Sequence, residues 1–558
     1  MVAALLVAAL LGVSVLAVLQ ARALDGERDR VAALDAEVTT LRTEVATLRD
    51  EVAAATAPPP DDRAAEEGDR SEADPPDDDP GPADLDALLD GLLGDGGQPD
   101  LGGLLEGLLG GGADADIGGL LEGLLGDGGE GFGALFGAGD TPGARCLLPS
   151  GDDPMGMLGG LFDGSGASGA AADEDPDELV RTIGDQVADL RELAWQDDVE
   201  VAFLDAVATR ARLQELLEEE DAIDREALAV QERLLTALRA VPAGTDLEEL
   251  QLALLEDSVA GFYVSDTGEL VVRVPDDGRI RGIDRITIAH ELQHALADQT
   301  LGLPDPTDPP LSEDADATLA TLAVVEGDAT LVMQRWGLEH VSLMEQLSAF
   351  GDPDMVAAQA ALDDVPHVLQ RELISPYLDG LDWVCDRYLE GGWAAVDEAY
   401  RSPPATTAEI LFGEPVDPVE PAPLGTPRGY DEVGATTFGA APLLWLFEAP
   451  GDDLDRALDD PEARAMAWGG GVAEVWARGE DTAVGLALAD RSGPGAPGLC
   501  ASMGTFVEAA YADWRELPAE AGRVWRGADG AAVLRCEVDD VVLGVGPDLI
   551  SATAIAAG

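Results

Sequence analysis

ITIAHELQHALADQ, residues 286–299, is the stretch on which the reading of this chain turns. His290 and His294 are four residues apart, so on a helix they project from one face. Two imidazoles one turn apart can both reach a single tetrahedral metal ion, and zinc is the ion this donor pair suits. Glu291 turns toward the open side of such an ion, where its carboxylate can take a proton from an activated water and pass it to a leaving amine. The flanking residues Thr287, Ile288, Ala289, Leu292, Gln293, Ala295 and Leu296 are uncharged, as a buried helix requires. The whole chain has only four histidines, which makes two of them around a glutamate at this spacing a specific signal.

A zinc site needs a third protein ligand. A Pro- and Asp-rich loop over residues 302–310 leads to a second helix, expected to start near Ser312 with an acidic first turn. In ATLATLAVVEGDATLVM, residues 317–333, Glu326 shares a stripe with Leu319, Leu322, Ala323, Ala329 and Met333. A carboxylate on an apolar stripe is costly unless it is paired or bound to a metal. Glu326 is therefore the expected third ligand. The alternatives are an ion pair between Glu326 and an arginine such as Arg335, or ligation by His340 or His367, neither of which has a helical context pointing at the site.

HELQH followed by a glutamate on a downstream helix resembles the gluzincin class of zinc metallopeptidases, the thermolysin-like arrangement. The resemblance implies zinc ligation by His290, His294 and Glu326, with Glu291 as general base. That class often has an Asp four residues after the second histidine, which Asp298 matches, and another four after the ligand Glu. The second position here is Thr330, with Asp328 nearer. A narrower likeness rests on AGFYVSDTGEL, AHELQHALADQ, VVEGDAT, GGWAAVDEAY and PPATTAEIL in that order, and spans roughly Leu179 to Trp514. This series is similar to a family of bacterial exported or lipid-associated HExxH proteins and implies no particular substrate.

Upstream of the motif, AGFYVS and ELVVRV flank Asp266-Thr267-Gly268 and read as strand, turn, strand. Gly261 to Ser265 would be an edge strand able to pair with an extended peptide, or an ordinary core hairpin. Leu179, Val180, Ile183, Val187, Leu190 and Leu193 have helical spacing, and helix is expected to continue to about Leu255. Helix resumes near Asp284 and is expected to dominate to the end. The fold class is thus mainly α (α+β), with a small antiparallel sheet next to the HExxH helix. An oxyanion donor is also needed, and Tyr263, Tyr377, His367 and Tyr400 are the candidates.

The N-terminal part reads differently. Residues 2–19 carry no charged side chain and are just long enough to cross a bilayer. They read as a membrane anchor or a signal segment over 1–20, with Ala21-Arg22-Ala23 as a cleavage-like site. Leu24, Val31, Val38, Val45 and Val52 alternate with Leu34, Leu41 and Leu48 at coiled-coil spacing over 24–52, implying a homo-oligomer. Residues 53–174 form an acidic, Pro/Gly/Leu-rich spacer whose LLDGLLGDGG-like unit recurs every 16 residues, from Leu92 to Leu108 to Leu124. The expected metallopeptidase domain covers 175–540, with a tail at 541–558.

Acidic residues number 111 against 32 basic ones, all arginine, for a formal charge of −79. Such a surface repels nucleic acid and anionic headgroups. The four cysteines permit two disulfides in an exported chain, with Cys500–Cys536 the first choice among three possible pairings. The expected function is hydrolysis of peptide bonds in a peptide or protein substrate by an extracytoplasmic, membrane-anchored or secreted zinc enzyme. A non-catalytic envelope protein with a structural metal site is the alternative, and a zinc hydrolase acting on a non-peptide bond a third.

Overall fold

A computed structural model describes Cys146 and residues 175–219, 225–250, 261–274, 279–304, 314–342, 345–346, 362, 365–493, 497–519 and 522–558. The membrane segment, the coiled coil and the spacer repeats expected from the sequence lie outside these residues. Among the described residues no helix is long and apolar enough to cross a membrane.

Helix α1 (Pro176–Arg191) starts where expected, with the Asp175 carboxylate accepting from the Asp177 N–H at 3.0 Å. The reading of continuous helix beyond it does not hold. Strand β1 (Glu200–Leu204) intervenes before α2 (Ala206–Glu219) and α3 (Arg225–Ala237). Strands β2 (Gly261–Val264) and β3 (Glu269–Arg273) form the expected hairpin, and Gly268 supplies the left-handed turn residue at φ 69°. The small sheet is not purely antiparallel: its order is β1-β3-β2, with β1 parallel to β3.

The motif forms α4 (Gly282–Thr300), and the downstream helix is α5 (Ala315–His340). The Arg281 N–H donates to the Asp284 carboxylate at 2.7 Å to start α4, and Asp314 accepts from the Ala317 N–H at 3.1 Å to start α5. Both are buried around much of their circumference, so they run through the interior instead of lying on it. Helix α6 (His367–Gly391) crosses α5 with backbone against backbone. A Cβ on Gly327 would stand 2.3 Å from the Gly380 oxygen, and one on Gly380 would stand 2.2 Å from the Ala323 oxygen. Helices α7 (Trp393–Arg401) and α8 (Thr407–Phe412) follow.

The C-terminal part departs most from expectation. Strands β4 (Asp431–Thr437), β5 (Trp468–Arg478), β6 (Asp481–Asp490), β7 (Arg515–Leu517), β8 (Arg523–Arg526), β9 (Ala531–Cys536) and β10 (Asp540–Gly546) build a seven-stranded antiparallel sheet in the order β4-β5-β6-β10-β9-β8-β7. Helices α9 (Ala440–Glu448), α10 (Pro461–Ala465), α11 (Leu499–Ala510) and α12 (Leu549–Ala556) accompany it. The fold is therefore about half helical with two sheets, not helical to the end. Residues 541–558 are not a tail: β10 is internal to the sheet, and α12 buries Ala552 and Ile555. Gly485 and Gly544 pair across β6 and β10 under α12, where a Cβ on Gly544 would meet the Ala552 oxygen at 2.4 Å.

Two disulfides close the molecule. Cys500–Cys536 ties α11 to β9, as first expected from position, and Cys146–Cys385 ties a residue of the spacer to α6.

Candidate metal centre

The i, i+4 geometry of α4 brings the His290 and His294 Nε2 atoms to 3.0 Å. Helix α5 adds the Glu326 Oε2, 3.2 Å from the first and 3.5 Å from the second. Ligand atoms bound about 2.0–2.1 Å from one tetrahedral ion stand roughly 3.3 Å apart, so this triangle has the dimensions of one coordination face. The three side chains can hold a metal ion. His290 and Glu326 are 0 % exposed, Glu291 1 % and His294 3 %, so the centre is enclosed.

The electrostatics call for a cation. Burial opposes the charge on Glu326, but the two histidines outweigh it and hold the carboxyl down at about 2. Burial likewise opposes a charged His294, yet Glu326 and the other nearby carboxylates raise it to about 9. His290 is lowered, burial being the main cause, so its imidazole is in the neutral form a metal takes. A divalent ion would supply the positive charge that a proton on His294 otherwise provides.

Glu291 lies beside the triangle. Its Oε2 accepts from the Tyr263 N–H of β2 at 3.1 Å, while Oε1 has no hydrogen-bond partner among the described residues. Burial first, then Glu326, pushes its carboxyl up to about 8, against the opposing pull of His294. The Tyr263 hydroxyl donates to Asp298 at 2.8 Å. Asp298 therefore holds the strand that orients Glu291. Strand β2 is an edge strand of the small sheet, yet its Tyr263 N–H is taken by Glu291 and Gly261 to Val264 are buried, so the segment also packs as core around that carboxylate.

The four oxyanion candidates separate cleanly. The Tyr263 hydroxyl is bound to Asp298, the Tyr400 hydroxyl donates to Asp328 at 2.9 Å, and His367 pairs with Glu448 at 2.8 Å. Tyr377 alone faces the centre. Its ring stacks on His290 with centroids 6.0 Å apart, and its buried hydroxyl is directed at the Glu326 carboxylate, short of a well-formed hydrogen bond. Burial raises its pKa well above the ordinary value, and the Glu326 and Glu291 carboxylates add to that.

The rival ligands are elsewhere. His340 packs against Trp336 at the far end of α5, and His367 begins α6 beside Glu448. Arg335 stacks over Tyr388 and Trp393 and does not pair with Glu326. Thr330 is buried, and no hydrogen bond of its hydroxyl is formed. Asp328 is the acid that matters on this side: it accepts from Arg191 Nε at 3.0 Å and from Gln293 Nε2 at 2.8 Å. Sequence reasoning missed Arg191 and passed over Gln293 as an uncharged flank. Arg191 continues the Ile183, Val187 stripe of α1, the same kind of signal that singled out Glu326.

Compared with protein-family models, with curated proteins and with solved structures, the chain matches none.

Proposed function

We propose that residues 175–540 and the strand and helix that follow form a zinc-dependent peptidase of gluzincin type, with His290, His294 and Glu326 as ligands and Glu291 as general base. The observation that carries this reading is the convergence of three buried ligand atoms beside a buried carboxylate with one unengaged oxygen. Bound zinc would polarise the scissile carbonyl and bring the pKa of a water molecule toward neutrality. The rest falls to the chain itself. Beside a divalent ion the Glu291 carboxyl would be ionised, its raised pKa offset by the cation's charge. The Tyr263 N–H fixes its Oε2, leaving Oε1 to accept a proton from the attacking water and return it to the departing amine. The Tyr377 hydroxyl donates to the oxygen on which negative charge develops.

The pairing of the described cysteines into two disulfides supports an extracytoplasmic compartment. Residues 2–19 would anchor or export the chain, and the heptads of 24–52 would bring copies together.

Enclosure of the centre supports a second reading, a structural metal in a non-catalytic envelope protein. One experiment separates the two. The purified full-length protein is assayed for zinc content and for cleavage of a mixed peptide library, beside Glu291→Gln. The peptidase reading expects about one zinc per chain and a loss of cleavage of about 10²–10⁴-fold in the variant. Zinc without any Glu291-dependent cleavage supports the structural reading, and absence of zinc sinks both.

A further inference from the structure

Glu326, Gly327 and Asp328 are consecutive and buried in the middle of α5, and each faces a different neighbour. Glu326 meets the two histidines of α4. Gly327 lies against the Gly380 backbone of α6 with no room for a side chain. Asp328 is the hub of a network drawn from three other helices. Its Oδ1 accepts from Arg191 Nε of α1 at 3.0 Å, and its Oδ2 accepts from Gln293 Nε2 of α4 at 2.8 Å and from the Tyr400 hydroxyl of α7 at 2.9 Å. Arg191 also pairs with Asp397 at 2.8 Å, and its guanidinium lies over Trp393 at 4.5 Å.

Gln293 immediately precedes His294, and Asp328 stands two residues after Glu326. The Gln293–Asp328 hydrogen bond therefore links the two ligand-bearing helices at the level of their ligands. A coordination face tolerates little displacement, and the Gln293–Asp328 hydrogen bond braces α4 against α5 beside the ligands, where the His290 ring also meets the Ala329 backbone of α5.

We propose that Asp328 and Gln293 are positioning residues that hold the Glu326 carboxylate against His290 and His294, with Arg191 and Tyr400 fixing Asp328 in turn. This rests on the metal reading above. The metal site then depends on α1 and α7, neither of which contributes a ligand.

The test is zinc affinity of the full-length protein, measured by competition with a chromophoric chelator, together with the visible spectrum of the cobalt-loaded form and the melting of the metal-free form. The variants are Asp328→Asn, the milder Gln293→Leu, and Asp316→Ala as a control for loss of a buried carboxylate elsewhere on α5. The expected result is a zinc affinity lowered about ten-fold or more, with an altered cobalt spectrum, in Asp328→Asn and Gln293→Leu. Asp316→Ala is expected to shift melting without shifting affinity. Zinc held as tightly by Gln293→Leu as by the unaltered chain, with the same cobalt spectrum, overturns the positioning role alone. An unaltered chain that takes up no zinc overturns the metal reading and this inference with it.

Discussion

At the scale of single residues, burial decides what each polar group can do. Tyr377 and Tyr400 both hide a hydroxyl, but Tyr400 is committed to Asp328 while that of Tyr377 is left facing the carboxylates of the centre. On the peptidase reading, Tyr377→Phe should lower kcat by about 10²–10³-fold with little change in KM. Its melting should stay close to that of the unaltered chain, because the lost hydroxyl has no well-formed partner. Steady-state kinetics on any cleaved peptide checks this, and an unchanged kcat removes Tyr377 from the mechanism. Asp316 gives a prediction independent of function. It is buried, accepts from the Thr407 N–H at 3.1 Å, and its carboxyl is raised to about 6 by burial, against the two Thr407 hydrogen bonds. A folded-state pKa above the unfolded value means the protonated form is favoured on folding. Asp316 thus costs nothing below about pH 4 and progressively destabilises as pH rises through 6, by about 3 kcal/mol in total. Asp316→Asn keeps an acceptor and removes the charge. Denaturant unfolding at pH 4 to 7 should show its stability gaining on the unaltered chain across that window, and parallel curves would refute the assignment.

At the scale of elements, α4, α5 and α6 form the unit that makes a metal centre possible. The α5–α6 crossing is so close that Gly327 and Gly380 admit no Cβ, and Tyr377 lies three residues before that contact, next to Pro376 inside the helix. Gly380→Ala would push a methyl group onto the Ala323 carbonyl, an obstacle that no rotamer change relieves. It should cost about 3 kcal/mol and weaken zinc binding, since Tyr377 and Glu326 ride on the separated helices. Thermal unfolding with a zinc titration measures both, and a variant as stable as the original would show that the helices part without penalty. The helices and hairpin around the motif were legible because each has a strong periodic or turn signal. The large sheet was not. Strands β6 and β10 are buried on nearly every residue and rich in Ala, Gly, Val and Leu, so both faces are apolar and the alternation that marks a strand is lost.

At the scale of the whole molecule, Cys146–Cys385 joins points 239 residues apart, linking a residue that precedes α1 in the sequence to the helix that carries Tyr377. A single proteolytic cut between residues 147 and 174 should therefore leave the N-terminal portion covalently attached until the disulfide is reduced. Limited proteolysis run on reducing and non-reducing gels reads this directly, and release without reductant would exclude the bond. By itself, the sequence determined the local arrangement: the motif helix, the glutamate between its two histidines, and a carboxylate on an apolar helix that needed a cation. Those follow from spacing along one helix and from the cost of burying charge, which are properties of short segments. Only the tertiary structure decided which of four oxyanion candidates faces the centre, that Arg335 stays away from Glu326, and that Asp328 gathers Arg191, Gln293 and Tyr400. Those pairings join residues up to 137 positions apart, and helix crossings, not local pattern, set which buried polar groups meet.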